Sequence, residues 1–376
     1  MVSVCVVVVV VVVVVVMCVN GDSGDLNTPI SVLLRGLTKD LGHSEAPRTG
    51  DQEREWWADY LCHQTNFQGQ EQKHIIPLQQ LFRDVTPERR DRNVFLMDTA
   101  CNTHPRYRAW CSVESWANQN PDLDVWFLMT SQKVSDTDGL PSLLMHKYPN
   151  LRLVGTHLAG IFKGTPVEPL YLSRKWTVSE TWPPEVLSNM LRALVLWHYG
   201  GIYSDTDILS IRPFTLPLNA TGFDVEAVVG SALYAFSAHH PLLWTLMEDI
   251  NKEFIPGVWG IIGPAAVTRV VKKACGTNDT YTLLHKAPVS CANKSVTIYP
   301  DTHFFPVFWH EFERYFNKST GLNFDKDFKS SYVLHMWNVF SKWTPIKMGF
   351  FSIYEAAARR SCPLTFSRAI LRSNFF

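Results

Sequence analysis

From Asn93 onward the chain alternates short apolar runs with stretches of helical period, and this alternation restricts the fold more than any other feature. "NVFLMDT" (Asn93–Thr99), "DVWFLMT" (Asp124–Thr130) and "LRLVG" (Leu151–Gly155) read as strands. "CSVESWANQNP" (Cys111–Pro121) and "PSLLMHKYP" (Pro141–Pro149) read as helices between them. Strand–helix–strand at this spacing means βαβ units and a parallel sheet. Right-handed crossovers then put the helices on the sheet faces. The expected fold class is α/β, a mostly parallel central sheet with flanking helices. Ligands of such sheets sit at the carboxyl ends of the strands, so "LMDT" (Leu96–Thr99) and "LMTS" (Leu128–Ser131) are expected to line a cleft.

The next unit is "WPPEVLSNMLRALVLWHYGGIYSDTD", Trp182 to Asp207. Pro183 and Pro184 suit a helix start. Leu187, Leu191, Leu194 and Val195 recur with helical period. Gly200 is a natural stop, since glycine accepts positive φ. Ile202–Ser204 then enters the sheet. In extended backbone residues i and i+2 point the same way, so Asp205 and Asp207 are expected to aim together while Thr206 faces away. Two carboxylates on one side need a shared proton or a cation. A hard divalent ion completed by a nucleotide diphosphate satisfies that need. A glycosidase needs an acid–base pair flanking one bond, which two such close carboxylates do not supply.

Lys plus Arg balances Asp plus Glu at 35 each, so no basic field exists for a nucleic-acid backbone. The amino terminus is almost pure valine from Val4 to Val19. Its length suits a signal-peptide core or a short membrane anchor, with Val19-Asn20-Gly21 a candidate cleavage point. Residues 22–92 read as a polar stem, with a short helix expected around Trp56, Trp57 and Tyr60. Sequons at Asn219, Asn278, Asn293 and Asn317 fit a secretory lumen. Beyond the leader, Cys62, Cys101, Cys111, Cys275, Cys291 and Cys362 form an even set without metal-type spacing. Closeness in sequence suggests Cys101–Cys111 and Cys275–Cys291 bridges, leaving Cys62 with Cys362.

"SNMLRALVLWHYGGIYSDTD" resembles the signature of the DXD-containing glycosyltransferases that include lactosylceramide 4-alpha-galactosyltransferase and alpha-1,4-N-acetylglucosaminyltransferase. "CSVESWANQNPDLDVWFLM", "WGIIGPAAVTRVVKKAC", "FFPVFWHEFERYF", "SYVLHMWN" and "RSCP" resemble the same family in the same order. The resemblance runs from about Asn93 to the C-terminus. It implies a GT-A type nucleotide-sugar-binding fold over residues 93–376, Mn²⁺, a UDP-sugar donor such as UDP-galactose or a UDP-N-acetylhexosamine, and retaining transfer onto a glycosphingolipid. It also implies a Golgi membrane setting with the catalytic domain in the lumen, in type II orientation, or secreted if residues 1–21 are cleaved. Carried over by position, Asp205 and Asp207 would hold the metal and nucleotide, with Asp207 the more direct ligand. His335 in "LHMWN" would close the metal shell. Asn189 and Arg192, three apart on one helix face, would bind the donor together with Tyr203 and Asp205.

Three positions depart from the family pattern. Asn189 stands where the family usually has Asp, and Ile261–Ile262 replace a polar pair in "WGIIGP". These departures keep two other readings open. One is a homologue that binds UDP-sugar or glycan without turnover. The other is an alpha-1,4-N-acetylglucosaminyltransferase acting on glycoprotein glycans.

Overall fold

The computed structural model describes residues 4–10, 13–19, 62, 74–177, 181–346 and 349–372. The segment up to Ala46 and the chain from Pro47 onward are two compact units. In the first, Val4–Val10 pairs antiparallel with Val13–Val19 as a two-stranded hairpin, in keeping with the strand preference of β-branched side chains. Among the described residues no helix is long and apolar enough to cross a membrane. The helix expected around Trp56 and the candidate cleavage point lie outside the described residues.

The second unit is built on a nine-stranded sheet. Its elements are β1 (Gln80–Leu81), β2 (Asn93–Asp98), helix α1 (Tyr107–Gln119), β3 (Asp124–Met129), α2 (Leu140–Lys147), β4 (Leu151–Thr156), α3 (Pro183–Tyr199), β5 (Gly201–Ser204) and β6 (Ile208–Ser210). They continue with β7 (Ala220–Phe223), β8 (Val229–Phe236), α4 (Pro241–Glu253), α5 (Pro264–Cys275), β9 (Val289–Cys291), β10 (Val296–Tyr299), β11 (Val333–His335), α6 (Ile353–Ser361) and α7 (Pro363–Arg372). The sheet order is β9-β10-β7-β8-β5-β2-β3-β4-β1. From β1 to β5 every neighbour is parallel. β8 then runs antiparallel to β5, β7 is antiparallel to β8, and β7 and β10 are parallel again. The mixed α/β architecture with a mostly parallel sheet is the expected one, and it agrees with a GT-A arrangement. The sheet also reaches back past Asn93, because β1 pairs with β4 through Gln80↔Gly155 and Leu81↔Thr156.

The glycine pair between α3 and β5 has a definite job. Gly200 ends the helix at φ 65° and Gly201 opens the strand at φ 116°, both in the region that favours glycine. A Cβ on Gly200 would lie 1.8 Å from Asp91 Oδ1, and one on Gly201 would lie 2.2 Å from the Asn93 carbonyl oxygen. The helix can therefore turn into the sheet directly beside β2.

Helix α1 is buried on most of its circumference, from Arg108 to Ala117. Trp110, Val113 and Trp116 pack on the sheet, whereas Cys111 faces the C-terminal helices. Its polar residues hold the strands on either side of Asp205–Asp207. Trp116 Nε1–H donates to Ser204 Oγ at 2.9 Å, Ser112 Oγ–H to the Ile208 carbonyl at 2.5 Å, and the Ser210 N–H to Ser115 Oγ at 2.9 Å. Each buried bond contributes about 1 kcal/mol net.

Two of the three expected disulfides are corrected. The bridges are Cys62–Cys101, Cys111–Cys362 and Cys275–Cys291. Only Cys275–Cys291, which joins the end of α5 to β9, pairs sequence neighbours. Cys101 lies in the loop after β2, while α1 carries Cys111 into the cluster that contains Cys362. Ten residues of separation count for less than the face of the helix.

Candidate active site

The Asp205-Thr206-Asp207 stretch is not extended strand, as expected from the alternation argument. It is a turn between β5 and β6, closed by the Ile208 N–H donating to the Asp205 carbonyl at 3.2 Å. The two carboxylates still converge, now through the turn rather than through strand pleat. Thr206 does not face away; it lines the same cavity as both aspartates.

The third member arrives from far along the chain. β11 pairs antiparallel with β6, so His335 lies opposite Ile208 and beside Asp207. The His335 imidazole Nε2 is 3.2 Å from Asp207 Oδ1. Asp205, Asp207 and His335 each present one ligand atom, and all three atoms lie within 4.8 Å of one another.

Each aspartate is held by different neighbours. Asp205 Oδ1 accepts from the Tyr203 hydroxyl and lies 3.3 Å from Arg192 Nη2. Its other oxygen has no protein hydrogen bond among the described residues. Asp207 Oδ2 accepts the Asn338 N–H at 2.8 Å, and its carbonyl accepts the Met336 N–H at 2.8 Å. Burial pushes the Asp205 carboxyl above the usual carboxylate range, with the Arg192 guanidinium pulling the other way. Burial acts likewise on Asp207, but the His335 ring and the His335 and Asn338 hydrogen bonds outweigh it and hold that carboxyl low. Burial would lower the His335 pKa, yet the charge of Asp207 raises it.

Arg192 and Tyr203, expected to bind the donor, direct their polar atoms to protein partners. Arg192 donates through Nη1 to the Ser231 carbonyl at 2.6 Å, through Nε to the Ser188 carbonyl at 3.2 Å and through Nη2 to Ser188 Oγ at 3.0 Å. Its guanidinium also lies over the Tyr203 ring, 4.6 Å from the centroid. With its donors spent on the protein, Arg192 orients Asp205. Asn189 has no protein hydrogen bond among the described residues, so its carboxamide is available to a ligand. It lies close to Gly263, where an added Cβ would be 3.1 Å from Asn189 Oδ1.

Asn189, Arg192, Tyr203, Asp205, Asp207, Ile261 and Ile262 all line one cavity of about 400 Å³. The expected contribution of "LMDT" is present through Met97, Asp98 and Thr99. That of "LMTS" is not. Thr130 instead accepts the Cys101 N–H through Oγ1 at 3.0 Å, holding the loop that carries the Cys62–Cys101 bridge. Sequence reading reached Asp98 only as part of a cleft; burial pushes its carboxyl up, against hydrogen bonds from Ala100 and Asn102. Asn338 was missed altogether, because a backbone N–H leaves no mark in residue identity.

Two carboxylates, one with a free oxygen, and a buried imidazole whose Nδ1 has no protein partner among the described residues form a donor set suited to a hard divalent ion.

Residues 107–224 match the family model described as the glycosyltransferase sugar-binding region containing the DXD motif. Residues 235–369 match the one described as the alpha 1,4-glycosyltransferase conserved region. Lactosylceramide 4-alpha-galactosyltransferase of Rattus norvegicus is 29% identical over 280 residues, covering 73% of this chain and 74% of the relative. The Homo sapiens protein of the same name is 28% identical over 279 residues, covering 73% and 76%. Alpha-1,4-N-acetylglucosaminyltransferase of Homo sapiens is 27% identical over 285 residues, covering 73% and 80%.

Proposed function

We propose that the chain, which matches the DXD sugar-binding and alpha 1,4-glycosyltransferase family models, moves galactose, or an N-acetylhexosamine, from a UDP-sugar to a glycolipid acceptor such as lactosylceramide, forming an alpha-1,4 linkage. The observation that carries this reading is the convergence of Asp205, Asp207 and His335, whose ligand atoms lie within 4.8 Å of one another, with both aspartates on the wall of a cavity that also presents a free Asn189 carboxamide.

Asp205 and Asp207, with His335, would hold a divalent cation, Mn²⁺ in this reading, which when bound stabilises the departing diphosphate as a Lewis acid. The chain's own residues do the rest. Arg192 and Tyr203 fix the Asp205 carboxylate, and the Asn338 N–H fixes that of Asp207. Asn189 offers the donor sugar's hydroxyls one acceptor oxygen and two N–H donors. The acceptor hydroxyl oxygen bonds to the anomeric carbon as the bond from that carbon to the β-phosphate oxygen breaks. UDP leaves with the electron pair, and the acceptor proton passes to the departing phosphate oxygen. Attack from the face that UDP vacates retains the alpha configuration.

The setting is the Golgi lumen, with the valine leader as signal or anchor, residues 22–92 largely as stem and the catalytic domain beyond it. Three disulfides and exposed sequons at Asn278, Asn293 and Asn317 suit an oxidising secretory compartment.

The test is a transfer assay with several UDP-sugars and glycolipid acceptors, with and without Mn²⁺, on wild type and Asp207→Ala. Loss of metal-dependent transfer by at least about 10²-fold is expected, the scale for removing one preorganised charge-stabilising group, while the variant is still secreted. Full activity in Asp207→Ala removes the metal role. Donor binding with neither transfer nor UDP-sugar hydrolysis refutes the enzymatic reading.

A further inference from the structure

The described surface exposes twelve large apolar side chains, and they are unevenly placed. Five of them, Trp182, Ile255, Val258, Trp259 and Val339, line the one cavity that holds Asp205 and Asp207. Being both exposed and cavity-lining, they form most of its rim, which the exposed Glu185 shares. They come from three segments far apart in sequence: the turn before α3, the loop between α4 and α5, and the short helix Asn338–Ser341. The next residue, Phe340, is also exposed and stacks on Trp309 with centroids 5.3 Å apart.

Three segments converging on one apolar rim is not the scattered exposure usual on a surface. Trp182 adds a second, independent observation. Its φ is 52°, a left-handed conformation rare for a bulky residue. Its ring packs edge-to-face on Trp259 with centroids 5.0 Å apart, and both rings stay about half exposed. Residues held in such conformations are enriched at active sites and ligand clamps. Beneath the rim the cavity carries the polar side chains Asp98, Asn189, Arg192, Asp205 and Asp207 beside Met97, Phe254, Ile261 and Ile262.

Acidic and amide side chains beneath a largely apolar rim match an amphiphile whose sugar head enters and whose hydrocarbon stem stays at the mouth. We propose that this rim is a subsite for the apolar aglycone of a membrane-held glycolipid acceptor, seated at the bilayer interface, where tryptophan side chains are favoured. The assignment rests on the glycolipid reading above. It deepens that reading by naming the surface that distinguishes a lipid-linked acceptor from the same sugar free in water.

The experiment uses the full chain and the variant Ile255→Ser/Val258→Ser, which keeps Trp182 and Trp259. Transfer is measured to a lactosyl-headed glycolipid in phosphatidylcholine vesicles and to a soluble lactoside. The ratio of kcat/KM for vesicle acceptor to that for soluble acceptor is expected to fall at least about tenfold in the variant, the scale of losing apolar contact from two aliphatic side chains. An unchanged ratio overturns the proposal, as does an equal loss on both acceptors. A second readout needs no catalysis: vesicles of brominated phosphatidylcholine carrying the same glycolipid are expected to quench tryptophan fluorescence more in wild type than in the variant. Equal quenching overturns the rim assignment. Unequal quenching without any transfer upholds the rim and sinks the enzymatic reading instead.

Discussion

The junction between α3 and β5 allows a sharp test, because its Gly201 can be set against Gly276, another glycine at positive φ that meets different surroundings. Gly201→Ala introduces a Cβ 2.2 Å from the Asn93 carbonyl oxygen and 2.9 Å from its carbonyl carbon and amide nitrogen, at φ 116°. Contacts that short force β5 and β2 apart by roughly 1 Å, which disrupts the Val94↔Ile202 and Phe95↔Tyr203 pairing. Positive φ costs about 1–2 kcal/mol for a non-glycine residue, and overpacking adds about 1–3 kcal/mol. The expected loss is therefore about 2–5 kcal/mol. Gly276→Ala is the control: its φ is 63° but nothing lies within 4 Å of an added Cβ, so only the conformational cost of about 1–2 kcal/mol applies. Chemical denaturation of the two variants under one set of conditions measures the difference. Activity gives a second measure, because β5 runs directly into Asp205, and a shift of about 1 Å at a catalytic group costs about 10²-fold. If Gly201→Ala is no less stable and no less active than Gly276→Ala, the close approach of β5 to β2 does not matter as argued.

Other expectations follow from the same structure. Removing Cys111–Cys362, with sequence separation 251, should cost about 5 kcal/mol in the chain-entropy model, against about 3 kcal/mol for Cys275–Cys291, with separation 16; equal losses in denaturation of the Ser pairs would refute the loop-length reasoning. Mass spectrometry of glycopeptides should find glycans at the exposed Asn278, Asn293 and Asn317 but not at Asn219. The Asn219 Oδ1 accepts from Ser237 N–H and Oγ–H, and its sequon Thr221 is fully buried; full occupancy there would contradict that packing. Glu114 is buried beneath α7, where it accepts the Leu364 and Thr365 N–H groups and the Tyr148 hydroxyl. Burial raises its pKa despite those bonds, so the folded state binds this proton more tightly than the unfolded one. That contribution is present at low pH and is lost as pH rises through the folded pKa. Glu114→Gln lacks this slope, so its stability relative to wild type should improve from pH 4 toward neutrality; a pH-independent difference would refute the assignment.

Several parts of this molecule were legible in the residues alone. The strands Asn93–Asp98, Asp124–Met129 and Leu151–Thr156 and the helix Pro183–Tyr199 all stand where apolar period and the Pro and Gly signals placed them, because burial against a sheet writes a local, repeating pattern. Asp205 and Asp207 were visible for a related reason: a charged pair straight after a buried strand has no other local explanation. What tertiary structure alone decided is how those groups are aimed. A turn, not strand pleat, brings the carboxylates together, and β11 delivers His335 through pairing that no local pattern encodes. Arg192 spends its donors on Ser188, Ser231 and Asp205, Cys111 finds Cys362 rather than Cys101, and residues from three segments make one apolar rim. Local sequence determines which element forms and which face it buries, whereas partners distant in the chain meet only where several packed elements agree on one geometry.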